Sequence, residues 1–135
     1  MSGRFVLYCD GASRGNPGPA AIGAVLLDPD GQPVAEVSGT IGVTTNNVAE
    51  YQALIAGLGT AVDRGVERLE VRLDSELLVR QVTGRYRVKS PNLKPLSLQA
   101  ARLIRRLGDV RVIHVPREQN TVADALANAA LDADA

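Results

Sequence analysis

The sequence predicts an α/β fold in which a mixed sheet has helices on both faces, with the element order βββαβααβα. Three observations lead to this prediction. Short apolar runs of strand length are bounded by Gly, Pro and Asp, and longer segments carry apolar residues at helical spacing. The first three strands follow one another directly, whereas the last two alternate with helices, which indicates a meander followed by crossover units.

The first third of the chain is predicted to form the meander. Residues 4–10 have the apolar character of a buried strand, and residues 11–19 are predicted to be a loop because they contain three Gly and two Pro. Further strands are predicted at 20–27 and 34–41. The segment 28–33 (DPDGQP) joins them, and its Asp-Gly step favours a hairpin.

The remaining elements alternate helix and strand. In 48–62 the residues Tyr51, Leu54, Leu58 and Ala61 recur at helical spacing, and Gly65 supplies a C-cap. The later predicted elements are a strand at 69–73, a helix at 75–82, a segment at 83–95 that its Gly and Pro residues keep from being one helix, a helix at 96–107, a strand at 110–115 and a helix at 122–131.

Length and composition are those of one domain with a core of its own, at 135 residues and 45% hydrophobic content. We expect residues 1–135 to form this domain, with a short tail at 131–135. Cys9 is the only cysteine, no apolar stretch reaches membrane length, and the N-terminus lacks the apolar segment of a signal peptide. These features predict a cytoplasmic protein without a membrane partner, and we expect a monomer.

Charge is balanced overall but unevenly distributed. Lys plus Arg and Asp plus Glu both number 15, so net charge alone predicts no polyanionic partner. Residues 77–108 hold eight basic residues and no acidic one, which leaves seven basic and all 15 acidic residues elsewhere. A basic flank beside an acidic centre suits a phosphodiester polymer, and the alternative is two solvated helices with Arg-rich faces. With three Tyr, one Phe and no Trp, base stacking is expected to add little affinity.

Four acidic residues stand where such a fold would bring them together. Asp10 and Asp74 follow predicted strands, and Glu50 and Asp124 lie in the first turns of predicted helices. The carboxyl ends of parallel strands share one edge of a sheet, where open α/β folds bind ligands. Crowded carboxylates repel one another and raise each other's pKa unless a cation holds them together. This pattern predicts a magnesium site.

Each acid also has a local structural alternative. Glu50 could close a capping box with Asn47, and Asp124 could close one with Thr121. Asp74 could cap the helix that follows it, and Asp10 could simply begin a turn. Against a capping role, Glu50 shares its helical stripe with apolar residues that should face the core.

Four segments together resemble the motifs of the type 1 ribonuclease H family. They are 10–19 (DGASRGNPGP), 45–51 (TNNVAEY), 74–75 (DS) and 120–127 (NTVADALA), in the family's order and spacing. The likeness runs from about Phe5 to Leu131. It implies the ribonuclease H fold, with a five-stranded sheet in the order 3-2-1-4-5, and an endonuclease that cuts the RNA strand of an RNA–DNA hybrid.

The resemblance further implies two Mg²⁺ ions, with Mn²⁺ as the alternative ion, held by carboxylates. The matching residues are Asp10, Glu50, Asp74 and Asp124, with the first of them contacting both ions. In such sites one ion activates the attacking water and the other stabilises the departing 3′ oxygen, so the products should carry 5′-phosphate and 3′-hydroxyl ends. Carboxylates suit Mg²⁺ because it is a hard cation that prefers oxygen.

By the same resemblance, several residues are expected to contact the hybrid. These are Asn16 and Asn46 in the minor groove, Thr45 and Asn47 near sugar or phosphate, and Glu50 and Gln81 near the 2′-hydroxyls. Recognition of the 2′-hydroxyl explains why RNA is the strand that is cut. For Asn46 and Asn47 the alternative is helix capping, which one of them is expected to do as well.

The chain departs from the family pattern in three places. Many members have a His in a flexible loop before the last helix, whereas the short loop here carries Arg117, our candidate for assisting water activation or product release. His114 is expected to be a strand residue and not a catalyst. Glu76 stands where many members have Gln. The basic protrusion of some bacterial members is abbreviated, which leaves Arg85, Arg87, Lys89 and Lys94 as the predicted grip on the DNA strand.

Three rival interpretations remain open. The chain could be a catalytically silent ribonuclease H-like module that binds nucleic acid, although all four acids are present. It could also be the excised N-terminal nuclease domain of a longer bifunctional protein. A related transposase or junction nuclease is the third, and the segments 15–19 and 46–50 argue against it.

Overall fold

Residues 3–134, the part of the chain that the computed structural model describes, form five strands and four α-helices. The strands are β1 (Phe5–Ser13), β2 (Gly18–Leu27), β3 (Pro33–Thr44), β4 (Arg68–Leu73) and β5 (Asp109–His114). The helices are α1 (Asn46–Asp63), α2 (Glu76–Val82), α3 (Lys94–Leu107) and α4 (Thr121–Ala133), and a single 3₁₀ turn covers Arg117–Gln119. The predicted order βββαβααβα is confirmed.

The five strands form one mixed sheet in the order β3-β2-β1-β4-β5, as predicted. β1, β2 and β3 form an antiparallel meander, whereas β1, β4 and β5 run parallel. The last pair in the parallel β1–β4 ladder is Cys9 with Leu73, so β4 ends at the level of Cys9, while β1 continues to Ser13 along β2. We call this level the carboxyl edge of the sheet.

Helices cover both faces of the sheet, also as predicted. On one face α1 packs on β1 and β2, and α3 packs on α1, around fully buried side chains such as Leu7, Leu54 and Val71. On the other face α4 lies on β1, β2 and β3. A Cβ at Gly23 would lie 2.1 Å from the carbonyl oxygen of Ala123, so the glycine allows α4 to approach β2 this closely.

The segment predicted to be a loop at 11–19 is mostly strand. β1 continues to Ser13 and β2 begins at Gly18, because residues 11–13 extend the antiparallel ladder and pair with 20–22. The connection is therefore four residues long, and it contains a cis Asn16–Pro17 bond. Gly and Pro content predicts turns from local preference, whereas the ladder satisfies these backbone groups through a neighbouring strand. The predicted hairpin at 28–33 is confirmed, with the Gly31 N–H donating to the Asp28 carbonyl.

The chain end also differs from the prediction. α4 continues through Ala133, so residues 131–133 are helical and not a tail. Leu131 is 5% exposed and packs with Ala21 and Ala127, which extends the apolar stripe of the helix by one further turn. Ala135, the last residue of the predicted tail, lies outside the described residues. Between residues 3 and 134, no helix combines the length and apolarity needed to cross a membrane.

Candidate active site

Asp10 and Asp74 meet at the carboxyl edge of the sheet. Asp10 is the residue after Cys9 in β1 and Asp74 directly follows Leu73, the partner of Cys9 in the parallel ladder. Asp10 is only 7% exposed. The parallel register therefore brings two acids 64 positions apart in the sequence next to each other, as the sequence predicted.

Glu50 reaches the same place from α1. Its Oε1 accepts a hydrogen bond of 2.9 Å from the backbone N–H of Gly11. A Cβ at Gly11 would lie 2.2 to 2.4 Å from the backbone of Ala49 and Glu50, so only glycine lets the first turn of α1 approach β1 this closely. α1 thus places the Glu50 carboxylate against Gly11, the residue that follows Asp10.

The capping role considered for Glu50 is wrong. Thr45 is the N-cap of α1, and its side-chain hydroxyl accepts from the Val48 N–H at 3.3 Å. Neither Asn46 nor Asn47 caps the N-terminus of α1, because Thr45 occupies the N-cap position. Ser75 plays the same part for α2 by accepting from the Leu78 N–H, so Asp74 is not the cap of that helix.

Three acids form a compact group. Asp10, Glu50 and Asp74 each offer a carboxylate oxygen, and these oxygens all lie within 4.8 Å of one another. Burial, followed by the hydrogen bond and charge of Glu50 and the charge of Asp74, raises the pKa of Asp10 well above its ordinary range. Burial also raises the pKa of Glu50, against the hydrogen bonds from Asp10 and Gly11 and the charge of Arg117. The group is electrostatically strained when no cation is bound.

Asp124 lies beside this group but outside its tightest part. It lines the same cleft from the first turn of α4, and its hydrogen bond to Asp10 is a further, smaller cause of the raised pKa of that residue. Asn128, one turn later, donates to the Asp124 side chain at 3.2 Å and to its carbonyl at 3.0 Å. The capping box predicted with Thr121 is absent from the described structure, since Asn120 is the N-cap and makes no side-chain capping bond.

Asn120 is a residue whose importance sequence reasoning missed. Its side chain is 1% exposed, and its amide nitrogen donates to the Cys9 carbonyl at 2.9 Å and to Oδ2 of Asp74 at 2.8 Å. The available signal was its place at the start of the acidic motif in 120–127. An asparagine before a helix ordinarily indicates capping, which hid this long-range contact.

The acids line a cleft of about 580 Å³ together with polar side chains. Of the predicted substrate and catalytic residues, Asn46, Asn47 and Arg117 line this cleft. Thr45 is engaged as the helix cap. Asn16 lies in the β1–β2 connection, where its side-chain oxygen accepts from the Asn46 N–H at 3.1 Å, so it supports the rim of the cleft.

The predicted basic grip lies away from the acids. None of its described members, Arg85, Arg87, Lys89 and Lys94, lines the acidic cleft. Three of them are exposed in the segment between α2 and α3, and the fourth begins α3. Arg85 lines a separate pocket of about 330 Å³ with Glu76 and His114.

The remaining residues singled out from the sequence occupy other places. His114 is the last residue of β5, which confirms it as a strand residue. Glu76 forms an ion pair with Arg80 one turn along α2. Gln81 was expected near the substrate, but its side-chain oxygen accepts from the Tyr51 hydroxyl at 2.8 Å. Tyr51 is a fully buried residue of α1, so this contact turns Gln81 towards the core.

The donor set fits a divalent cation. All three members of the compact group offer carboxylate oxygens, the ligands that Mg²⁺ prefers. The group opens into a cleft, which leaves room for water and a phosphate oxygen. A bound cation would relieve the repulsion that raises the pKa of Asp10, because it stabilises the ionised form of each acid.

A protein-family profile described as "Reverse transcriptase-like" matches residues 8–130. A curated relative is "Ribonuclease HI" of Halobacterium salinarum, 52% identical over 96% of this chain and 65% of that protein. A "Bifunctional protein" of Mycobacterium tuberculosis is 49% identical over 98% of this chain and 36% of its own length. The chain therefore spans from about a third to just under two thirds of these curated relatives.

Solved structures agree in fold. The crystal structure of RNase H1 from Halobacterium salinarum superposes with a TM-score of 0.94 at 52% identity, over 98% of this chain and all of that one. LC11-RNase H1 in complex with an RNA/DNA hybrid gives a TM-score of 0.92 at 45% identity, over 97% and 99% of the two chains. The fold is thus shared with these proteins over nearly the whole chain, at about half sequence identity.

Proposed function

Since the chain belongs to the type 1 ribonuclease H family, we propose that it is an endoribonuclease that hydrolyses the RNA strand of RNA–DNA hybrids. The products carry 5′-phosphate and 3′-hydroxyl ends. The observation that carries this proposal is the convergence of Asp10, Glu50 and Asp74 within 4.8 Å, with Asp124 beside them in one open cleft. The hybrid bound to the similar LC11-RNase H1 supports the choice of substrate.

The cofactor in this proposal is Mg²⁺, with two ions held by the four acids Asp10, Glu50, Asp74 and Asp124, and with Mn²⁺ able to substitute. When bound, such a pair of ions supplies an activated water and stabilises charge on the leaving oxygen. The chain's own contribution is to hold the ligands. The backbone N–H of Gly11 holds the Glu50 carboxylate by a hydrogen bond, and the side-chain amide of Asn128 holds the Asp124 carboxylate.

Arg117 contributes charge to the reaction. It lines the cleft from the 3₁₀ turn before α4, and its charge acts on Glu50. An arginine does not release its proton in a protein, so it cannot serve as a general base. Its role is to attract the scissile phosphate and to steady the negative charge that develops during cleavage.

Selection of RNA is assigned to the rim of the cleft. Asn46 and Asn47 present amides that can both donate and accept hydrogen bonds, which suits a 2′-hydroxyl or a base edge in a minor groove. Asn16 acts through its bond to the Asn46 backbone. The exposed cations Arg85, Arg87, Lys89 and Lys94 would hold the DNA strand at its phosphates, outside the cleft.

One assay tests the proposal directly. Labelled RNA–DNA hybrid, duplex RNA and duplex DNA are incubated with the protein, with and without Mg²⁺ or Mn²⁺. We expect cleavage of the hybrid only, in the RNA strand, and only with a divalent ion. Asp30→Asn, an exposed change in the β2–β3 turn, is the matched control for Asp10→Asn and should cut at the wild-type rate. Binding of the hybrid without cleavage under every ion condition would favour the catalytically silent module.

Three further expectations belong to the same proposal. Residues 1–135 act as one ribonuclease H domain, the protein is a monomer, and it resides in the cytoplasm. The buried free thiol of Cys9 supports the cytoplasmic location. Disulfides form in oxidising compartments, and a single buried cysteine has no partner within its own chain for one. Sedimentation of the purified protein would test the oligomeric state.

A further inference from the structure

Asn120 is bonded to four segments at the carboxyl edge of the sheet. Its side-chain nitrogen donates to the carbonyl of Cys9, the residue before Asp10, and to the carboxylate of Asp74. Its backbone carbonyl accepts from the Asp124 N–H at 3.2 Å, and its own N–H donates to the Arg117 carbonyl at 2.9 Å. One buried residue therefore connects β1, the end of β4, the 3₁₀ turn and the start of α4.

The orientation of the Asn120 amide follows from its partners. A backbone carbonyl can only accept, so the nitrogen of the amide must face Cys9, and the same nitrogen then reaches Asp74. Oδ1 consequently points the other way, and within residues 3–134 it has no hydrogen-bond partner although it is buried. An unpaired buried acceptor lowers stability. A side chain that served only to fill this space would be apolar, so packing alone does not account for an asparagine here.

The bond to Asp74 has a mechanical consequence. Asp74 is repelled by the other members of the acidic group, and an aspartate can relieve such repulsion by rotating towards solvent. The amide opposes this rotation because it holds Oδ2 at 2.8 Å. Its second bond, to Cys9, ties the same amide to β1, the strand that carries Asp10.

We propose that Asn120 is a positioning residue for the metal centre. It holds the Asp74 carboxylate against β1 beside Asp10, so that Asp74 and Asp10 can bind the same divalent ion. The inference rests on the proposed function, and it adds a specific residue that acts through Asp74 without touching the ion or the substrate. Residues that hydrogen-bond to metal ligands commonly change metal affinity or activity by about 10- to 100-fold when they are removed.

The test compares Asn120→Ala with Leu131→Ala. Both positions are buried and lie at or in α4, but Leu131 is near its far end and packs with Ala21 and Ala127. Mg²⁺ and Mn²⁺ affinities are measured by calorimetry without nucleic acid, together with melting temperature, kcat and KM. We expect Asn120→Ala to weaken ion binding about 10-fold or more and to lower kcat, with KM changed by less than about twofold. Leu131→Ala should melt lower but bind the ions as the wild type does.

A double-mutant cycle shows whether Asn120 acts through Asp74. Asp74→Asn by itself should lose ion affinity, and adding Asn120→Ala should cause little further loss, because the group to be positioned is already altered. Unchanged ion affinity in Asn120→Ala, an equal loss in Leu131→Ala, or fully additive losses in the cycle would each overturn the proposal. Asn120→Ser is a second variant; if neither Asn120 variant folds, the residue is a folding determinant and the proposal is wrong.

The calorimetry also separates this inference from the proposed function. Wild-type protein that binds Mg²⁺ or Mn²⁺ without cutting the hybrid would contradict the nuclease, while the comparison of Asn120→Ala with Leu131→Ala would still decide the positioning role. Wild-type protein that binds neither ion would overturn both.

Discussion

The backbone N–H of Gly11 donates to Oε1 of Glu50 at 2.9 Å, across 39 positions of the chain. This bond joins the strand that carries Asp10 to the helix that carries Glu50. It depends on the absence of a side chain at Gly11, because a Cβ there would overlap the backbone of Ala49 and Glu50. The spacing of the two acids is thus set by how closely α1 approaches β1.

Gly11→Ala should therefore damage both folding and ion binding. The added methyl would lie 2.2 Å from a backbone carbon of α1, so the helix must move away and carry Glu50 with it. We expect the free energy of unfolding to fall by about 1–3 kcal/mol, the usual range for overpacking, and Mg²⁺ affinity to fall with it. Thermal melts and calorimetry would measure the two effects.

The matched control is Gly59→Ala in the same helix, where nothing lies within 4 Å of the added Cβ. This change should raise stability, since alanine is favoured over glycine inside a helix by about 1 kcal/mol. Equal melting temperatures for Gly11→Ala and the wild type would contradict the close approach of α1 to β1.

Asp10→Asn should abolish cleavage while the fold stays intact. We expect kcat/KM to fall at least ~10³-fold, a loss of about 4 kcal/mol of transition-state stabilisation. In metal-free buffer at pH 7 the variant should melt above the wild type, because the buried Asp10 must take up a proton on folding at that pH, whereas asparagine is neutral in both states. If it instead melts well below the wild type, Asp10 has a structural role such as beginning a turn.

The same variant should change how stability depends on pH. The raised pKa of Asp10 means that the folded, metal-free protein keeps a proton that the unfolded chain releases near the ordinary value of 3.8. Its free energy of unfolding should therefore fall as pH rises above about 4, and less steeply in Asp10→Asn. Saturating Mg²⁺ should remove most of this difference for the wild type.

Thr45→Ala and Asn47→Ala should separate helix capping from substrate contact. Thr45 caps α1, so its replacement should lower the free energy of unfolding by about 1 kcal/mol. Asn47 lines the cleft and makes no cap, so its replacement should raise KM for the hybrid with an unchanged melting temperature. A destabilised Asn47→Ala with wild-type KM would return that residue to a structural role.

Arg87→Ala tests the basic segment between α2 and α3. If Arg87 contacts a phosphate of the hybrid, the variant should bind hybrids of any sequence more weakly, and the salt dependence of log K should lose about one unit of slope. Arg68→Ala is the control. Arg68 pairs with Asp109 at the end of the sheet opposite the carboxyl edge, so this variant should keep the wild-type slope. An unchanged slope in Arg87→Ala would remove this segment from the interface.

The sequence by itself determined the order of the strands and helices and the meeting of Asp10 with Asp74. Apolar periodicity is a local property, and a parallel crossover necessarily places two strand ends on one edge of a sheet. It did not determine which side chains cap the helices. Thr45 and Asn47 are both acceptable N-caps by residue type. Thr45 is the cap because the packing of α1 on β1 sets the residue at which the helix begins.

Only the tertiary structure decided the long-range hydrogen bonds. Glu50 accepts from Gly11, Gln81 turns to Tyr51, and Asn120 reaches Cys9 across 111 positions. Local preference depends on residues within about one helical turn, whereas these bonds depend on the relative placement of whole strands and helices. The four acids could be recognised in the sequence because carboxylates are ligands for divalent cations by residue type alone. Asn120 could not, because its amide gains its role only after packing brings two acceptors to it.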